Sequence, residues 1–308
     1  MKSAEILSII DKYINKYNSE KSPKYETIYQ LPSSDVAILG SGFARDDASR
    51  VSFCFYRLSP KEYDDGGAQS FADADFYGGN SLKDGKIKLE LNINIPVRVD
   101  GNKTYLDRLM MAELVTHELA HAYRKSRELA AGHYKFDFSF LNFVKRKKSN
   151  KKYTTFQRTV AYDRTTPTNG ANDIYEKMRW VGYALVEDEA YAQLAGIQIF
   201  LAAGGNIKNS RGKQLIDAVS TYLDEIEKTA TPDDWQKCMK KISYIPARKD
   251  ETPTRFARRW VAYYRDRIAR FNTRVEKMLN KHRADKFRIG KKSLMVADVI
   301  PIKNQERD

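Results

Sequence analysis

The sequence predicts an α+β fold, with a small, partly antiparallel sheet from about residues 45–100 and helices from there to the C-terminus. Three observations predict it. Two runs dense in β-forming residues, 51–58 (VSFCFYRL) and 86–97 (KIKLELNINIPV), lie in the first third. Beyond residue 104 the apolar residues recur at helical spacing instead. A composition of 42% hydrophobic and 31% charged residues over 308 positions suits a soluble chain with a real core. No apolar run reaches the roughly 18 residues of a spanning helix, so no membrane contact is expected. Glu5 and Asp11 bracket the first apolar run, which argues against a signal peptide.

The elements follow in order. Leu7, Ile10, Ile14 and Tyr17 share one helical face and predict a helix over residues 3–17. Ile87, Leu89, Leu91, Ile93 and Ile95 alternate with polar residues, as in a strand with one face buried and one wet. Between the two β-rich runs, residues 61–85 are rich in Gly and Asp and predict a long loop. Thr104 with Asp107 predicts a capped helix start, and Gly132 its stop. Residues 145–152 (KRKKSNKK) read as a basic loop or exposed helix end. One long helix is expected over 173–203, closed by Gly204-Gly205, and another over 213–229. Thr231-Pro232-Asp233-Asp234 opens the next, with proline at the first helical position. The last starts near Thr254 and carries the stripe Phe256, Trp260, Tyr264, Ile268, Phe271, Val275 and Met278. Residues 1–204 would form the core that holds the site, and residues 205–308 a basic helical region packed on it.

Charge and cysteine content narrow the function classes. The net charge is +14, and residues 205–308 contribute most of it, with 25 Lys+Arg against 14 Asp+Glu, a net +11. That excess points to nucleic acid or an acidic protein as a contact, with a solvated helix face as the plain alternative. The two cysteines, Cys54 and Cys238, stand far apart. A disulfide framework and a thiolate metal site are both excluded, and a reducing compartment is favoured: the cytoplasm, or the inside of a phage particle.

One motif carries chemistry. His117-Glu118-Leu119-Ala120-His121 is an HExxH sequence inside the helix that follows residue 104. Residues i and i+4 lie one above the other on a helix, so both imidazoles can reach one metal ion. Glu118 projects beside them and can take a proton from water activated there. Zinc suits such a site, because it lowers the pKa of bound water to about 7. With 4 His among 308 residues, chance supplies roughly 0.003 such matches. Two core or surface histidines on an ordinary helix are therefore the weaker reading.

These residues resemble the active-site helix of the zincin metallopeptidases, which carries HExxH among uncharged neighbours such as Val115, Leu119, Ala120 and Ala122 here. The resemblance implies a zincin-like core, a zinc ion on His117 and His121, and Glu118 as general base in peptide hydrolysis. The metzincin variant is excluded, since Arg124 stands at its glycine and Arg127 at its third histidine.

The third ligand has three candidates. Residues 185–192 (LVEDEAYA) resemble the ExEA element of gluzincins, as in CAAX-prenyl-type endopeptidases and ImmA/IrrE-type regulators. That likeness implies Glu187, the first Glu of the element. Trp180, Tyr183, Ala190, Leu194 and Leu201 share its face on a continuous helix, and a carboxylate on an apolar stripe calls for a metal or a pair. His133, twelve residues after His121, is the second candidate, and its spacing resembles that of SprT-like proteases; Glu189 is the third.

Three functions are consistent with these features. The leading one is a zinc metallopeptidase acting on protein or peptide substrates. The second is a structural or assembly protein, for instance a bacteriophage virion component, that keeps a zincin fold without turnover. The third is a SprT-like protease that binds nucleic acid through residues 205–308.

Overall fold

The computed structural model describes residues 3–21, 23–39, 48–64, 74–79, 88–130, 173–185, 187–241, 245 and 247–292. It begins with helix α1 (Ser3–Asn18), which buries Ile6, Ile9, Ile10, Tyr13 and Tyr17 along one stripe. That stripe lies on a sheet of β1 (Glu26–Gln30), β2 (Ala48–Leu58), β3 (Ala74–Gly79), β4 (Lys88–Asp100) and β5 (Lys103–Tyr105). Tyr17 stacks on Phe55 and Tyr13 meets Phe53 edge-on, so aromatic rings fix the helix against the sheet. Two short helices, α2 (Ser33–Leu39) and α3 (Pro60–Glu62), flank β2.

The fold is α+β and the sheet is mixed. Its order is β1-β2-β4-β3, with β5 pairing to β4 off that path. β1 runs antiparallel to β2, while β2 and β4 run parallel from Ala48↔Lys88 to Leu58↔Arg98. β3 and β5 are both antiparallel to β4. Val51, Phe53, Phe55, Leu91, Ile93, Ile95 and Val97 are buried, the alternation expected of strands with one core face.

Two expectations for the sheet change. The loop expected over 61–85 contains β3, whose residues ADFYGG have no period-two pattern and become a strand through their ladder with β4. β1 lies ahead of the expected sheet. It buries one side chain, Tyr29, and exposes Ile28, so its hydropathy carries no strand signal.

The HExxH helix is α4 (Arg108–Ala130). Its cap is Asp107 alone, whose Oδ1 accepts from the N–H groups of Leu109 (2.8 Å) and Met110 (3.0 Å). The Thr104–Asp107 box does not form, because the turn at Gly101 (φ +56°) carries Thr104 into β5, opposite Val99.

The helix expected over 173–203 is two: α5 (Ile174–Ala184) and α6 (Glu187–Ala202). Leu185, at φ −106° and ψ 7°, ends the first. Gly204 (φ +95°) closes α6, as the sequence predicts. Then come α7 (Arg211–Thr229), α8 (Pro232–Lys241) and α9 (Pro253–Lys292). At α8 the predicted start is realised: Thr231 N–H donates to Asp234 Oδ2 at 2.8 Å, and Asp234 N–H returns to Thr231 Oγ1 at 3.2 Å.

Two hydrophobic cores result. One joins α1, the sheet and α4, through Met111, Ala112, Leu114, Val115, Leu119 and Ala122. The other joins α5 to α9 around Trp235, Phe256, Trp260 and Tyr264. α6 belongs to both, giving Ile199 to the first and Leu194, Ile197 and Leu201 to the second. Helices 174–202 thus share a core with the helices after residue 205. Among the described residues, no helix is long and apolar enough to cross a membrane.

Candidate metal centre

α4 and α6 cross where α6 cannot carry bulk. A Cβ on Gly196 would stand 3.0 Å from the backbone oxygen of Glu113, so glycine sets this approach. His117 and His121 follow Glu113 by one and two helical turns, and Glu189 precedes Gly196 by two. The helices run antiparallel here, and their side chains meet between them.

The meeting is close. His117 Nε2 and His121 Nε2 are 3.1 Å apart, with their rings at 76°. Glu189 Oε1 stands 3.4 Å from His117 Nε2, and Glu189 Oε2 stands 3.4 Å from His121 Nε2. The three side chains are the group among the described residues whose ligand atoms converge closely enough to hold a metal ion. Their side chains are 14%, 15% and 5% exposed, so the point they share is largely shielded from bulk water.

Charge reinforces the geometry. Burial alone raises the Glu189 carboxyl pKa, but the His117 charge, the His121 hydrogen bond and charge and the Gln193 hydrogen bond outweigh it and hold the group at about 2. Glu189 is therefore an anion facing two imidazoles. Glu118 is also buried, and its Oε1 lies 4.0 Å from His117 Nε2, at the margin of the same cluster.

The sequence-predicted residues divide as follows. His117, Glu118, His121 and Glu189 come together. Glu187 is the first residue of α6, and its side chain lies outside the described residues. His133 and the basic run 145–152 also lie outside them. The apolar face that favours Glu187 presumes one continuous helix, and the break at Leu185 resets the rotation of everything after it. Trp180 and Tyr183 pair edge-on within α5, before that break.

The basic C-terminal helices are partly neutralised. On α9, Arg259 pairs with Glu251, Arg265 with Asp224 and Glu227, and Arg270 with Asp266. Arg255, Arg258 and Arg274 are exposed.

One buried carboxylate escapes the sequence reading altogether. Glu113, on α4, accepts from Ser210 Oγ (2.6 Å), Gly212 N–H (2.8 Å) and Arg211 N–H (3.0 Å). It thereby satisfies the free donors at the head of α7, where an anion also meets the positive end of the helix dipole. Its one sequence signal is a charge in the middle of the apolar run 109–115. Its partners lie about a hundred residues away.

Compared with known proteins, the chain matches no family model, no curated protein and no solved structure.

Proposed function

We propose that this protein is a zinc-dependent metallopeptidase with a zincin-like core, in which His117, His121 and Glu189 hold the metal and Glu118 is the general base. One observation carries the reading. Tetrahedral zinc ligands at about 2.0–2.1 Å from the ion stand about 3.3 Å from one another. His117 Nε2 and His121 Nε2 stand 3.1 Å apart, and each faces its own oxygen of Glu189 at 3.4 Å, Oε1 for His117 and Oε2 for His121, so one ligand atom from each residue lies within 4.8 Å of the others. Two imidazoles, which release any proton on binding metal, and one carboxylate are also a donor set that zinc accepts.

Zinc, when bound, supplies a Lewis acid that polarises the scissile carbonyl and brings the pKa of water to about 7. The chain supplies the rest. Glu118 takes a proton from the attacking water as its oxygen bonds to the peptide carbon. It then passes that proton to the departing nitrogen as the C–N bond breaks, and so returns to its starting state. His117 and His121 would hold the ion through Nε2, and the Glu189 anion would offset one of its two charges. Burial of Glu118 and Glu189 excludes competing water, which strengthens each of these electrostatic contributions.

The substrate class is protein or peptide. Purified protein incubated with a denatured protein mixture should generate fragments. A strong chelator should abolish that cleavage, and added zinc should restore it. Cleavage that persists through chelation would overturn the metal-dependent reading.

A further inference from the structure

We propose that Gln193 is the positioning residue for the metal-ligand carboxylate, and that Gly212, at the head of α7, determines where its carboxamide lies; this rests on the metal reading above.

Glu189 Oε1, the oxygen 3.4 Å from His117 Nε2, accepts a hydrogen bond from Gln193 Nε2 at 2.8 Å. Gln193 stands one turn further along α6, at i+4, where side chains on one helix face meet. A Glu side chain has three soft torsions, and this bond, the one from outside the two imidazoles, restricts the plane in which the carboxylate oxygens meet them. Outer partners of this kind orient metal ligands, and removing them typically weakens metal binding by about 10- to 100-fold.

The other end of the carboxamide occupies the space that a side chain at 212 would need. Gln193 Oε1 would lie 2.7 Å from a Cβ on Gly212, with Ile197 and the Gln193 carbonyl at 3.2 and 3.3 Å. Residue 212 must lack a side chain for the carboxamide to rest there. Gly212 is pinned in turn, since its N–H donates to Glu113 Oε1 at 2.8 Å beside Ser210 Oγ. Glu113 lies on α4 one turn before His117. The contacts therefore close a ring: His117, Glu189, Gln193, Gly212, Glu113 and back along α4. Three helices fix the carboxylate relative to the imidazoles, and one of them belongs to the basic C-terminal region.

The ring makes a remote substitution informative. In Gly212→Ala, the closest obstacle to the new methyl group is the flexible end of Gln193, so the carboxamide swings off Glu189, while Ile197 and the Gln193 carbonyl, at 3.2 and 3.3 Å, need only a slight adjustment. The experiment measures zinc affinity by competition with a chromophoric chelator, together with the melting temperature of the metal-free protein. Wild type, Gln193→Leu, Gly212→Ala and the double variant are compared, with His117→Ala as the control without zinc. The single variants should bind zinc about 10- to 100-fold more weakly, with metal-free melting temperatures near that of wild type. The double variant should lose no more than Gln193→Leu alone, since both act through one hydrogen bond. A merely structural role would move the melting temperatures and leave the affinities. If Gln193→Leu does not fold, Gly212→Ala carries the test. Wild-type affinity in the folded variants, with His117→Ala still unable to bind, would overturn this inference and leave the metal reading standing. A folded wild type that takes up no zinc would overturn both.

Discussion

Glu118→Gln should leave zinc in place and slow peptide hydrolysis by a hundredfold or more. The substitution keeps length and shape, so the cluster beside it, 4.0 Å away at His117 Nε2, is undisturbed. What it removes is a carboxylate that can gain a proton and give it back. A hundredfold loss corresponds to about 2.7 kcal/mol of transition-state stabilisation, within the range for one positioned acid–base group. The loss should fall on kcat, because a residue that moves a proton in the transition state adds little to ground-state binding. Measured on a denatured protein mixture with zinc content verified in both proteins, equal product patterns and rates would remove Glu118 from the chemistry. If neither protein generates products, the cluster serves assembly rather than turnover.

Glu189→Ala should lose zinc by a larger factor than any outer substitution, because it deletes a ligand and the negative charge that faces both imidazoles. Glu187→Ala, at the first position of the same helix, should keep it. Two residues on one helix are thus separated by one titration with a chelator. Zinc retained in Glu189→Ala and lost in Glu187→Ala would reassign the third ligand and break the spacing argument. The predicted result would also tie the metal to α6 rather than to residue 133, the position that the SprT-like alternative requires.

How far the site was legible depends on the range of the interactions that build it. HExxH was legible because its geometry is local: helix pitch alone brings residues 117 and 121 to one face. The cap at Thr231 was legible for the same reason, since its hydrogen bonds span three residues. The break between α5 and α6 was not. Residues 184–186 (ALV) contain no glycine or proline to mark it, yet Leu185 leaves the helical region at φ −106° and ψ 7°. Once that break is known, Glu189 reads differently. It lines up with Ala192, Gly196 and Ile199, a face of small and apolar residues that lets α4 come close and aims a carboxylate at it. Glu113 was illegible because its partners, Ser210, Arg211 and Gly212, sit about a hundred residues away with no motif of their own. The strand within the expected loop at 61–85 was hidden for a related reason: its ladder with β4 defines it.

The central claim is that two imidazoles and a carboxylate, converging between α4 and α6, are a metal site. The most direct measurement is elemental analysis of the folded, untagged protein after dialysis against a weak chelator. The account predicts about one zinc per chain in wild type and none in His117→Ala. A well-folded wild type that holds no zinc, even after exposure to excess metal, would contradict it.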